Sequence, residues 1–485
     1  MPTESMPSRG QHPEPTATPL SRAFTGTSEP YLIYPRRELR NRASGRLLRT
    51  GSFPRAVCFL RAKQIRTKSS TTATTSAPLP LEGIKVLDLT RVLAGPYCSM
   101  ILGDYGDVSS AEILKIEHPN SGDDTRVWGP PFARTLSASD AGQPDSAYFL
   151  GNNRNKRSIT VNLKHPRGVD VVKRLAKECD VLIENYVPGK MDAWGLGWEV
   201  LRGVNERLVY ASITGYGPDG PYAHKPGYDV ITEAEAGLMH ITGEPDGPPV
   251  KVGVAITDMT TGLYAHGAIM AALLARARTG LGQKLDISLL ECQVASLANI
   301  AHSYLIGGEE GKRWGTQHAA IVPYQAFRTR DAYIVVGAAT DAQFGKLCTR
   351  LDRASLATSP HFSTNAARVT HRVELIALLS AVFRAETTDT WLRVLDGVGI
   401  PFAPVNSIRQ TFEHPQVLHR EMIQEVDHPR HGTIKLVGIP VKFSHTKPSI
   451  RRPPPVLGQH TKEVLTSVAG YSEEEVEGFV RDGVV

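Results

Sequence analysis

The sequence predicts an α/β fold built on a largely parallel sheet, with a second, smaller α+β domain. Three observations support this. Short runs rich in Val, Ile and Leu recur at residues 84–89, 113–117, 181–184, 208–213 and 285–289, and read as strands. Helical stretches such as 98–105 and 168–178 fall between them, and strands alternating with helices make parallel sheets. Glycine-punctuated turns follow several of the strands, where such sheets bind nucleotide-like ligands.

In chain order, the proline-rich boundary at Pro78–Pro80 is followed by the strand at 84–89 and by a helix entered through Gly95 and Pro96. The segment 259–274 places Met259, Leu263, Met270, Leu273 and Leu274 near helical spacing with almost no charge, so it reads as a buried helix. Beyond residue 300 the pattern changes, with strands at 324–327 and 332–337 and helices at 342–351, 372–383 and 388–395. A strand-rich stretch covers 422–443, and the last helix opens on Ser472 and Glu475, spaced as a capping box. The expected division is an N-terminal extension over 1–80, a large domain over 81–300, a small domain over 301–409 and a C-terminal segment over 410–485 that returns to the large domain.

Charge separates the first of these from the rest. Residues 1–80 hold 11 Arg and 2 Lys against 4 Glu and no Asp, whereas the whole 485-residue chain carries only +6. The remainder is therefore slightly acidic, which gives no electrostatic reason to expect a nucleic-acid partner. An arginine-rich extension running into a Ser/Thr-rich stretch fits a mitochondrial transit peptide, and hence a matrix location, better than a secretory signal. No apolar run reaches the length of a membrane span. Cys58, Cys98, Cys179, Cys292 and Cys348 show no CxxC spacing, so neither a disulfide framework nor a structural metal site is expected.

The sequence has no P-loop, GxSxG elbow or HExxH motif. Short polar clusters at predicted strand ends remain. Arg154, Lys156 and Arg157 in NNRNKR are candidates to meet phosphates, and Asn185 in ENYVPG to hold an amide or ribose. Taken singly, such clusters also read as solvated faces and turn punctuation. The sharpest feature is Asp258 in GVAITDMTTG, at the start of the predicted apolar helix. Unpaired amides and the helix dipole there would favour an ionised carboxylate able to attack an acyl carbon. Aspartate is also a preferred cap, and the two roles are compatible.

The ordered set GIKVLDLTRVLAGP, AEILKIEHPNSGDDTR, NRNKRSITVNLK, ENYVPGKMDAWGLG, GYGPDGPYAHKPGYD and GVAITDMTTGLYAHGAIMAALLAR, with LGQHT near the end, resembles the family III CoA-transferases (the CaiB/BaiF family) over about 400 residues. The resemblance implies a Rossmann-like large domain, a small domain and an interlocked homodimer. It makes Asp258 the catalytic residue, carrying CoA as an aspartyl thioester, with coenzyme A as a substrate and no permanently bound cofactor. It places CoA contacts at Leu93, Ala94, His118, Asn153, Arg154, Asn155, Lys156, Asn185 and Tyr186. Tyr228, Asp229 and His318 are its candidates for the substrate pocket.

The activity implied is transfer of CoA from succinyl-CoA to glutarate or a related dicarboxylic acid such as hydroxymethylglutarate. Two other readings stay open, a 2-methylacyl-CoA racemase of the same family and a non-catalytic acyl-CoA-binding relative. Racemases of the family place a histidine where this chain has Tyr228, and a phenol, with an ordinary pKa near 10, is a poor base at neutral pH. The sequence departs from its relatives at His118 and Ala193, where they often carry arginine, and in four extra residues, Asp107 to Ser110.

Overall fold

The structure, a computed structural model, describes residues 79–106, 112–136 and 144–485. The expected transit peptide, apart from the last two residues of 1–80, and the Asp107 to Ser110 insertion both lie outside the described residues.

Six strands form one parallel sheet: β1 (Lys85–Asp88), β2 (Glu112–Glu117), β3 (Lys156–Thr160), β4 (Val181–Glu184), β5 (Val209–Thr214) and β6 (Lys284–Ser288), in the order β3-β2-β1-β4-β5-β6. Alternate side chains feed two cores. Leu87, Leu114, Ile159 and Leu182 pack on one side with the helix Pro166–Glu178, while Val86, Ile113, Val181 and Val209 pack on the other with Ala265 and Ile269. Each fully buried aliphatic side chain contributes about 1.5–3 kcal/mol, which is why Val, Leu and Ile recur in these strands. β3 is the exception. Its five residues, KRSIT, are all buried, although the sequence reads as an exposed basic cluster.

The strand order reverses direction between β1 and β4, so the loops after these two strands part to opposite faces and leave a crevice at their carboxyl ends. Asn185 closes its floor. Its Oδ1 accepts from the Arg91 N–H at 3.0 Å and its Nδ2 donates to the Arg91 carbonyl at 2.7 Å.

The apolar helix runs over Ile256–Thr279, starting earlier and ending later than its periodicity predicts. Its buried stripe consists of Thr257, Thr261, Gly262, Ala265, Ile269, Ala272 and Arg276. The expected core residues Leu263 and Leu274 are instead exposed, at 45% and 64%. The reason is close packing: a Cβ at Gly262 would lie 2.8 Å from the Ala94 carbonyl oxygen, so only small residues fit between this helix and Ala94–Asp104.

Farther along, β7 (Tyr324–Arg328), β8 (Tyr333–Gly337) and β9 (Phe402–Pro404) form an antiparallel sheet. It has its own core with the helices Asp341–Arg350, Arg372–Arg384 and Thr388–Leu395. β10 (Ile423–His428) and β11 (Gly432–Val437) make a hairpin. The chain then returns to β3, where His460 donates its N–H to the Ser158 carbonyl and Val464, Leu465, Val476 and Phe479 join the first core. Ser472 and Glu475 form the expected capping box. Cys98, Cys179, Cys292 and Cys348 are free and buried. No helix among the described residues is long and apolar enough to cross a membrane.

Candidate active site

A cavity of about 650 Å³ opens at the crevice. Its walls are the Arg91 to Ala94 turn after β1, Asn185 and Tyr186 after β4, Thr214 and Gly215 after β5, then Gly227, Tyr228 and Asp258. A Cβ on Gly215 would sit 2.6 Å from the Cα of Gly227. Two bare backbones cross there, and the crossing sets Tyr228 and Asp229 against the end of the sheet. Three cations stand on the rim. Arg91 pairs with Asp124 at 2.8 Å, Lys225 lies 3.8 Å from Glu235, and Lys190 lies over the Trp194 ring. These pairs are exposed and weakly held, so an anionic ligand can recruit the cations.

Asp258 occupies the third position of its helix, not the cap, which is Ala255 and makes no side-chain bond. The capping role falls to Asp229, whose Oδ1 accepts the Asp258 N–H at 3.0 Å from the start of the neighbouring helix Asp229–Glu235. This changes the electrostatics expected from sequence. Burial, and then the Asp229 charge, push the Asp258 carboxyl up to about 7. The helix dipole is worth only a fraction of a kcal/mol to about 2 kcal/mol, less than those two effects together. Asp258 is therefore poised between its acid and its carboxylate near neutrality, as a group matched to chemistry at that pH is.

Tyr148 completes the surroundings. Burial, and then the charges of Asp258 and Asp229, raise its phenol to about 12, so it stays a proton donor. Nothing in the spacing of the sequence marks it, because it arrives from the separate short helix Ala147–Asn152.

Of the residues expected from sequence, Leu93, Ala94, Asn185, Tyr186 and Tyr228 meet Asp258 on one cavity. His118 lines an adjoining space of about 220 Å³ that shares Arg91, Asp124, Tyr186 and Trp194. Asn153, Arg154, Asn155 and Lys156 are not on either wall. All four are buried and their groups are engaged. Arg154 grips Asp104 at 2.7 and 2.9 Å. Lys156 donates to Asp88, the Pro96 carbonyl and Asn153. Asn155 ties Asp104 to the backbone at 449–452. The basic cluster thus braces the crevice from behind, and the cations that face it are Arg91, Lys190 and Lys225. His318 stacks on Tyr324 with ring centroids 5.5 Å apart, away from the cavity.

Two histidine–carboxylate groups elsewhere suit a metal poorly. Asp145, beside His428 and His431, already receives Arg126 at 2.9 Å and Arg430 at 3.5 Å. The rings of His361 and His371, beside Glu374, are parallel at 4.1 Å, so their lone pairs do not converge.

This geometry places a carboxylate on a cavity with a cationic rim in an α/β fold. The sequence pattern of CoA-transferase family III matches residues 81–461, and the chain belongs to that family. Among similar proteins, succinyl-CoA:glutarate CoA-transferase of Mus musculus is 51% identical over 406 residues, covering 84% of this chain and 90% of that one. The Homo sapiens protein of the same name is 50% identical with the same coverage. Succinate–glutarate CoA-transferase of Agrobacterium fabrum is 41% identical over 80% of this chain and 96% of its own. The crystal structure of a CaiB/BaiF family protein from Brucella suis superposes with a TM-score of 0.73 at 40% identity, covering 81% of this chain and all of that one.

Proposed function

We propose that this enzyme moves CoA from succinyl-CoA to glutarate or a related dicarboxylic acid such as hydroxymethylglutarate, through an aspartyl-CoA thioester on Asp258. A carboxylate oxygen of Asp258 attacks the thioester carbonyl, giving a mixed anhydride and CoA thiolate. The thiolate attacks the aspartyl carbonyl, which releases succinate and leaves CoA on Asp258. The acceptor carboxylate repeats the two steps in reverse and leaves with CoA. Exchange between an acid and a thioester is nearly balanced in energy, so the protein's task is to align the partners and keep water from the anhydride and thioester.

The observation that carries this reading is Asp258 itself, half-buried on a cavity whose rim presents Arg91, Lys190 and Lys225. Leu93, Ala94, Asn185 and Tyr186 then form the CoA channel, with His118 at its outer end. Tyr228 and Tyr148 face the acyl group, and Asp229 positions the nucleophile. Asn153 to Lys156 act through the wall they hold, and His318 acts at most from outside this cavity. CoA enters as a substrate, with no permanently bound cofactor.

The same reading includes a Rossmann-like large domain over 81–300, a small domain over 301–409 and a returning segment over 410–485. It includes an interlocked homodimer, supported by the helix Ala298–Gly307, which buries none of its own residues and exposes Leu305 at 75% and Ile306 at 83%. It also includes import into the mitochondrial matrix through residues 1–80.

Incubation with succinyl-CoA followed by digestion is expected to yield a CoA adduct on the peptide holding Asp258. Asp258→Asn should lose the adduct and at least ~10³-fold in kcat. Full turnover with an unmodified peptide would sink the mechanism. Solvent deuterium entering a 2-methylacyl-CoA would point to racemisation, and CoA binding without exchange of labelled succinate to a non-catalytic relative.

A further inference from the structure

Glu233 lies one turn after Asp229 on the helix Asp229–Glu235 and is fully buried. Its Oε2 accepts the Val252 N–H at 3.1 Å, whereas its Oε1 has no donor at all. The carboxyl of Asp229, one turn earlier on the same helix, is the acid that acts on this side chain. Two facing carboxylates offer only lone pairs, and a buried polar atom without a partner costs about 1–3 kcal/mol. One proton between them removes both the orphan atom and the like-charge repulsion.

We infer that Glu233 and Asp229 share one proton, which makes Glu233 a positioning residue that holds Asp229 against the Asp258 N–H with one negative charge on the pair instead of two. The other groups around it do not supply that proton's role. Lys251, the cation that acts on Glu233, is exposed. On the helices packed against this one, His240 faces Glu310 at 3.7 Å, Glu291 accepts from Ser288 at 2.6 Å, and Cys292 and Asp258 carry no positive charge. Burial, and then the Asp229 charge opposed by the Val252 hydrogen bond, leaves the Glu233 carboxyl above its ordinary range. The consequence reaches the nucleophile. A second full charge beside Asp258 would hold it protonated to a still higher pH, so the shared proton keeps the nucleophile usable near neutrality.

The effect on catalysis rests on Asp258 being the nucleophile, and the two claims are tested separately. Infrared spectra at pH 7 of Asp258→Asn and of Asp258→Asn/Glu233→Gln are expected to differ by one protonated-carboxyl band, with other buried acids such as Glu184 cancelling. No difference would overturn the shared proton, whatever Asp258 does. With Asp258 intact, Glu233→Gln keeps a donor toward Asp229, so the acid limb of kcat/KM should stay within about 0.3 pH unit of the parent. A move of about one unit toward lower pH would mean that a charge had been removed, and that Glu233 was ionised. Retention of the adduct in Asp258→Asn would defeat the nucleophile reading and leave the infrared result standing.

Discussion

Asp88 and Asp258 are acids near the same edge of one sheet, with opposite surroundings. Asp88 is fully buried and meets Lys156 at 3.1 Å, the Thr90 N–H at 2.8 Å and Ser99 Oγ at 2.6 Å. Burial alone would raise its pKa, but Lys156 and Lys115 outweigh it and hold the carboxyl far below the usual range. Its neighbours follow the same rule: Asp123 pairs with Lys115 at 2.9 Å and Glu117 with Arg126 at 2.8 Å. Asp258 has an acid beside it and no cation, and its carboxyl rises to about 7. The protein therefore neutralises Asp88, Asp123 and Glu117 with buried cations and gives Asp258, which faces the cavity, an acid neighbour instead. A scaffold gains from paired charge, and a nucleophile of tunable ionisation needs it absent.

The largest effect should come from breaking the paired side. Lys115→Met leaves Asp123 without its cation and the Thr90 carbonyl without its donor. Losing one partner of a buried pair costs about 3–5 kcal/mol. Urea unfolding is expected to show a loss of that size, and a loss under about 1 kcal/mol would show that water or rearrangement compensates the network.

The unpaired side should respond with the opposite sign. The Asp258 carboxyl titrates near 7 in the fold and near 3.9 in the unfolded chain. Between those values the folded state binds more protons, so the contribution of Asp258 to stability is complete below about pH 4 and is lost as pH rises through 7. Asp258→Asn has no such loss. Its stability relative to the parent should rise between pH 4 and pH 8 by about 2 kcal/mol, a figure reduced for the partial exposure of the carboxyl. Melting curves across that range check it, and a constant difference would mean the acid is not strained.

The same contrast decides what was legible in the sequence. β1, β2, β4, β5 and β6 could be read from their recurring Val, Ile and Leu, and the capping box at Ser472 because its chemistry is local. β3 could not, because Lys156 is solvated or buried depending on Asp88, which lies 68 residues earlier. Asp258 was found through its motif and its place at a helix start. Its ionisation was misjudged, since burial in the fold outweighs the helix start and the Asp229 charge comes from another helix, and Tyr148 arrives from a third. Periodicity located the long helix, but its buried stripe follows Gly262 and Ala265 rather than Leu263 and Leu274, because close approach to Ala94 outranks side-chain size.

The smallest expected effect isolates the Asp229 contribution from that of burial. Asp229→Asn keeps an oxygen to accept the Asp258 N–H and removes the charge that stands second among the causes of the raised pKa. Burial remains, so the Asp258 carboxyl should fall only part of the way toward its ordinary value. The acid limb of kcat/KM is expected about half a unit to one unit lower, with one unit equal to about 1.4 kcal/mol. The shift stays at the lower end if Glu233 releases its proton to water once Asp229 is neutral, because the charge then reappears one helical turn farther from Asp258. An unmoved limb would assign the whole elevation to burial, and the contrast with Asp88 would then reduce to the absence of a cation.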